Sequence, residues 1–322
     1  MTAKPRVFIT RQIPEAGLSL IRQSCQADIW PETLPPSYEI LTERTRGADG
    51  LLCLITDRID AALMDAAGPG LKIISQMAVG VDNIDLAAAR ARGIPVGHTP
   101  GVLTEATADL AFALLLAAAR RIVEGVEYVR AGKWRTWEPK TLLGADLSGA
   151  TLGIIGLGRI GKAVARRAAG FDMHLIACNP GMPPPEAEAA GVQLVDLDTL
   201  LRESDFISIH TPLTAQTRGL INREALNKMK RTAILVNTAR GPVIDQDALY
   251  EALRDGRIAG AALDVTDPEP LPPDHQLLTL PNAIIVPHIG SASLWTRDQM
   301  AIMAAENLLA GLAGQPLPHA VP

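Results

Sequence analysis

The stretch that most constrains this chain is TLGIIGLGRIGKAVARRAA at 151–169, where an apolar, β-branched run turns through three glycines into a helical pattern. TLGII reads as a buried strand and KAVARRAA as a helix, so Gly156, Gly158 and Gly161 lie at a strand-turn-helix junction. The first glycine permits the turn, the second lets backbone approach a pyrophosphate, and the third lets helix and strand pack closely. The helix N-terminus then presents free N–H groups and the positive end of its dipole to the phosphates. The junction predicts a dinucleotide bound on an open, doubly wound parallel sheet.

Around it, short apolar runs alternate with helical stretches, the pattern of parallel strands joined by crossover helices. A first set comprises RVFIT (6–10), GLLCLI (50–55), LKIIS (71–75) and IPVGH (94–98). A second comprises TLGIIG (151–156), HLIAC (174–178), FISIH (206–210), AILVNT (233–238), AGAALDV (259–265) and AIIVPH (283–288). Apolar residues make up 48% of the 322 residues but aromatics only 3%, so the interior must be Ala, Val, Ile and Leu. The length suits two domains. The longest apolar stretch, Leu110 to Ala119, is about half the roughly 20 residues that a membrane-spanning helix needs, and reads instead as part of a buried helix from Leu103 to Ala119. The last helical stretch, Thr296 to Leu312, has no strand after it and is expected to dock onto the first unit.

Other classes are disfavoured. The net charge is −5 and no basic stripe with interleaved aromatics occurs, so nucleic-acid binding is not expected. The six histidines show no HxxH or HExxH grouping, and no metal is assigned. Cys25, Cys53 and Cys178 lack CxxC spacing and the N-terminal residues lack an apolar leader core, so the expected setting is cytoplasmic.

Ligands of open α/β sheets gather at the carboxyl ends of the strands. Arg240 follows AILVNTA, Glu269 sits in DPEPLPP after AGAALDV, and His288 ends AIIVPH. Each alone has a structural explanation: a surface ion pair, a solvated loop, a packed histidine. Together they are the three groups that hydride transfer to a keto acid needs. Histidine donates a proton near neutral pH. A carboxylate beside it favours the imidazolium. A guanidinium grips a substrate carboxylate and polarises the carbonyl.

With these residues in place, GIIGLGRIG, VNTARGPVIDQDAL, GAALDVTDPEPLP and PHIGSAS, together with VGVDNID (79–85) and LTEATADLAFALLLAAARR (103–121), resemble the signature blocks of the D-isomer-specific 2-hydroxyacid dehydrogenases, nearest their glyoxylate/hydroxypyruvate reductase branch. The resemblance implies His288 as acid/base, Glu269 as its partner and Arg240 as substrate-orienting residue, with the backbone of Val79 and Gly80 receiving the substrate carboxylate. It implies cofactor contacts from Thr104, Gly156, Gly158, Arg159, Ile160, Gly161, Asn179, Pro212, Thr217, Thr238, Ala239, Asp264 and Gly290. Two Rossmann/flavodoxin-like domains with a cleft between them follow: residues 1–99 with 288–322 for substrate, and 100–287 for coenzyme. Hinges near Pro100 and Pro287 would let the cleft close.

Implied too is a homodimer through the 103–121 helix and the 122–149 loop, with Trp134 and Trp137 at the contact. Where the family usually has an acidic residue to bind the adenosine ribose, this chain has Asn179, which leaves NAD and NADP both open. The end at Pro322, without the regulatory extension of many phosphoglycerate dehydrogenases, turns the expectation away from that activity. Alternatives on similar scaffolds are D-lactate-type, phosphoglycerate and phosphite dehydrogenases and, in another class, dinucleotide-sensing corepressors.

Overall fold

The computed structural model describes residues 4–321. The chain divides into two compact units, one of Met1–Leu103 with Ala292–Pro322 and one of Thr104–Ser291. Residues 1–3 and 322 of the expected substrate domain lie outside the described residues. The division falls a few residues from the expected one, and it leaves His288 in the middle unit. The cause is local: His288 N bonds to Asp264 O at 3.0 Å, and the next two N–H groups bond to the Asp264 carboxylate.

The first unit is built on β1 (Arg6–Ile9), β2 (Gln26–Ile29), β3 (Gly50–Cys53), β4 (Ile73–Gln76) and β5 (Val96–Gly97), all parallel in the order β2-β1-β3-β4-β5. β3 and β4 are buried along their whole length, as expected of central parallel strands covered on both faces. The C-terminal helix Leu294–Leu312 begins where Ser293 Oγ accepts from Thr296 N, and it packs on the helix Glu15–Ser24 and on β3 and β4. Gly17 makes this possible, since a Cβ there would lie 2.4 Å from Ala301 O. The final helix thus completes the first unit's core, as the sequence pattern predicts.

The second unit contains β6 (Thr151–Ile155), β7 (His174–Cys178), β8 (Gln193–Leu194), β9 (Phe206–Ile209), β10 (Ile234–Asn237), β11 (Gly260–Leu263) and β12 (Ala283–Ile285). They form one parallel sheet in the order β12-β11-β10-β9-β6-β7-β8. Strand order reverses between β6 and β9, the switch point at which such sheets bind ligands. The helix Thr104–Ala119 buries Ala108, Ala111, Phe112, Leu114 and Leu115 against the helix Arg159–Ala169 and against β10 and β11. Where a loop is expected from residue 122, the chain forms a further helix, Ile122–Arg130, none of whose residues is buried. Among the described residues no helix is long and apolar enough to cross a membrane.

Candidate active site

At the switch point the glycine turn has the conformation its sequence requires. Gly156 adopts φ +93°, and a Cβ there would lie 2.8 Å from the backbone of His210 at the end of β9. A Cβ on Gly161 would lie 2.2 Å from Gly156 O, so helix and turn touch because no side chain intervenes. Gly158 differs: a Cβ there meets nothing within 4 Å, which leaves its backbone open to a ligand. No side chain caps the helix Arg159–Ala169 that it begins, so first-turn N–H groups at Arg159 and Ile160 remain for phosphate oxygens.

Asn179 follows β7, and its Oδ1 accepts from Leu157 N at 2.9 Å, tying the ribose end of the site to the glycine turn. What remains on Asn179 is an amide donor, not a negative charge. Thr217 Oγ1 donates to Pro212 O at 2.6 Å and closes the loop in which both lie. Thr238, one residue past β10, has a buried hydroxyl without a hydrogen-bond partner among the described residues. A buried unpartnered polar group is uncommon and calls for a partner. Open backbone at Gly158, an uncapped helix and the Thr238 hydroxyl together fit a dinucleotide.

The three polar candidates emerge from adjacent strands. Asn237, Leu263 and Ile285 are register partners across β10, β11 and β12. Arg240 lies three residues past the first, Asp264 one past the second and His288 three past the third, all at the carboxyl edge of one sheet. His288 Nδ1 and Glu269 Oε1 are 2.5 Å apart, with both side chains about a third exposed. Asp264 is buried, and its two oxygens accept from Ile289 N at 2.6 Å and Gly290 N at 2.8 Å. Burial raises its carboxyl above the usual range, while the two N–H donors act in the opposite sense. This grip spans the residue after His288, which itself sits at φ +52°, a left-handed conformation that a side chain adopts at some cost.

Arg240 is placed by backbone. Asn237 Nδ2 donates to Arg240 O at 2.9 Å, and the Arg240 guanidinium donates to Ala239 O at 2.8 Å. Gly241 packs so tightly that a Cβ would lie 1.9 Å from Thr266 O, so the Arg240 turn and the loop leading to Glu269 are in direct backbone contact. Val79 and Gly80 follow β4 in the other unit, and Thr104 opens its helix.

One residue, Gln246, and one duty of Asp264 have no signal in the sequence. Gln246 clamps the Glu269 loop, accepting from Asp267 N at 3.1 Å and donating to Asp267 O at 2.8 Å. Asp264 anchors the His288 turn, a duty beside the cofactor contact the resemblance implies. Neither has a distinctive local pattern, because both act across loops distant in sequence. Among the described residues no group of three or more His, Cys, Asp or Glu could hold a metal ion.

A glycine turn with open backbone and a histidine paired with a carboxylate, on one parallel sheet, fit the class of nicotinamide-dependent oxidoreductases. The chain belongs to the D-isomer specific 2-hydroxyacid dehydrogenase family, whose NAD binding domain model matches residues 112–290. It is 54% identical over 319 residues to a glyoxylate reductase of Korarchaeum cryptofilum, covering 99% of this chain and 96% of that one. With the human glyoxylate reductase/hydroxypyruvate reductase it shares 48% identity over 317 residues, 97% and 96% of the two chains. An NADPH-dependent glyoxylate/hydroxypyruvate reductase from Sinorhizobium meliloti, solved with NADP and malonate, superposes with a TM-score of 0.88 at 32% identity, covering 99% of this chain and 97% of that one.

Proposed function

We propose that this protein reduces a small 2-keto acid, glyoxylate or hydroxypyruvate foremost, to the D-2-hydroxy acid. The observation that carries the reading is the 2.5 Å pairing of His288 Nδ1 with Glu269 at the carboxyl edge of the dinucleotide sheet. With Nδ1 engaged by Glu269, Nε2 is the nitrogen left to face the substrate oxygen and to hand it a proton. In this reading the Arg240 guanidinium polarises the carbonyl and shares the substrate carboxylate with the backbone N–H groups of Val79 and Gly80. Glu269 holds the ring's tautomer, and Asp264 holds its turn as well as the carboxamide end of the cofactor. A bound reduced nicotinamide supplies the hydride. Pro212, Thr217, Thr238, Ala239, Gly290 and the glycine turn enclose that cofactor, with Thr104 near its ring.

The test is oxidation of NADH and of NADPH in the presence of a panel of 2-keto acids. Turnover with glyoxylate or hydroxypyruvate is expected, and cofactor binding without turnover of any keto acid would sink the proposal. Asn179 supports use of both cofactors, since it offers an amide donor and no charge to repel a 2′-phosphate. A preference for NADH above about a thousandfold in kcat/KM excludes dual use.

The reading extends to a homodimer. The helix Ile122–Arg130 turns Ile122, Val123, Val126 and Val129 outward, and Trp134 and Trp137 are 65% and 80% exposed. Exposed apolar residues along one helix, followed by exposed large aromatics, suit an interface. Sedimentation should give twice the chain mass, and Val126→Glu should give one. Free cysteines at 25, 53 and 178 support a reducing, cytoplasmic setting.

A further inference from the structure

In the loop after β4, three successive carbonyls are each held by a donor from the same unit. Ala78 O accepts from Thr99 N at 2.9 Å, Val79 O is 3.0 Å from His98 Nδ1, and Gly80 O accepts from Gln76 Nε2 at 3.2 Å. A carbonyl oxygen only accepts, so His98 Nδ1 carries the proton in that contact. In a trans peptide the C=O of one residue and the N–H of the next point in opposite directions. Holding these three carbonyls therefore turns the N–H groups of Val79, Gly80 and Val81 away from the holding atoms. None of the three N–H groups has an acceptor among the described residues, and all three residues are partly exposed.

The holding groups are themselves fixed. Gln76 is fully buried, its Nε2 also donates to Asn83 Oδ1 at 2.7 Å, and Cys53 Sγ donates to its Oε1 at 3.0 Å. His98 is anchored through its backbone by the C-terminal segment. His98 N donates to His319 O at 3.0 Å, Val321 N to Val96 O at 2.8 Å, and the fully buried Asn307 bridges His98 O and His319 N at 2.9 Å each. Gly97 leaves the space that Asn307 fills, since a Cβ there would lie 2.7 Å from it.

We infer that His98 and Gln76 are positioning residues for the substrate carboxylate: by holding the Val79 and Gly80 carbonyls inward, they turn the Gly80 and Val81 N–H groups toward the anion. The inference rests on the reading that this loop receives the carboxylate at Val79 and Gly80, and adds the Val81 N–H as a third donor. His98→Leu removes the donor while keeping bulk, and His98→Asn returns it, because the asparagine amide nitrogen stands where Nδ1 does. Gln76→Met removes the second donor.

The experiment measures KM and kcat for glyoxylate, the inhibition constant of oxamate and the dissociation constant of NADH, with circular dichroism to report folding. His98→Leu and Gln76→Met should each raise KM and the oxamate constant about tenfold or more, with kcat within about threefold and NADH binding unchanged, the signature of binding lost equally from ground and transition states. His98→Asn should restore KM. Folded variants that keep the wild-type KM overturn the inference, as does a KM rise that His98→Asn fails to repair. If His98→Leu does not fold, Gln76→Met decides alone. A wild-type protein that turns over neither glyoxylate nor hydroxypyruvate overturns the underlying reading instead, before any variant is compared.

Discussion

The loop after β4 and the strand ends of β10, β11 and β12 make opposite use of the same kind of edge. In the first, side chains face inward to hold carbonyls, and the backbone N–H groups are left to act. In the second, backbone N–H groups face inward onto the Asp264 carboxylate, and side chains are left to act. Each choice suits the chemistry proposed for it. Recognising a carboxylate needs fixed donors, which a peptide supplies without rotamer freedom to lose. Moving a proton needs a titratable group, which a peptide lacks.

The largest effect should come from removing the titratable group. His288→Ala is expected to lower kcat for glyoxylate by about 10²–10⁴ fold, the range for loss of a general acid. KM should move far less than it does in the β4 loop variants. Steady-state kinetics at saturating cofactor measures both, and near wild-type turnover would remove His288 from the chemistry.

Next in size is a change at the ribose end. Asn179→Asp keeps an acceptor for Leu157 N but replaces the amide donor by a charged oxygen. Like charges brought together cost several kcal/mol, so kcat/KM for NADPH should fall by about a hundredfold or more. The value for NADH should hold within a few fold. Equal losses with both cofactors would mean that Asn179 faces no 2′-phosphate.

Asp264→Asn tests how far the side-chain site depends on its inward-facing backbone. The variant has one acceptor oxygen for two N–H donors and sets an amide donor against one of them. The turn carrying His288 loses half its anchor. Small misplacement of a reacting group can cost about a hundredfold, so kcat should fall about ten- to a hundredfold. A variant with wild-type kcat would show that His288 is held in place by other contacts.

Much of this was legible from the chain because the features involved are local. The strand runs buried on both faces, the glycine junction and the three polar strand ends all announce themselves within a few residues. β2 and β8 did not, because each is an edge strand with little burial and no long apolar run. The helix Ile122–Arg130 stands where a loop is expected, although Ile122, Val123, Val126 and Val129 are spaced along one helical face, a signal available in the sequence. Gln246, the anchoring duty of Asp264 and the grip of His98 and Gln76 on the β4 loop were hidden for another reason. They are hydrogen bonds of ordinary residues to loop backbone, distant in sequence except where Gln76 reaches Gly80, and no spacing rule specifies them.

The smallest expected effect concerns His210, at the end of β9 beneath Gly156. Burial of its ring lowers its pKa from 6.5 to about 4, and its Nε2 is 2.8 Å from Ser208 Oγ. The unfolded chain protonates this ring as pH falls below about 6.5, and the folded chain resists until about 4. More protons are bound on unfolding throughout that interval, so the contribution to stability is intact above it and is lost progressively on acidification. His210 is also partly open to solvent, so the loss should be modest, about 1–2 kcal/mol. Urea unfolding at about pH 7.5 and about pH 4.5 gives the wild-type decrement, and His210→Asn, which cannot titrate, should show that much less of one. Equal decrements would mean that the ring under the glycine turn takes up its proton without loss of stability.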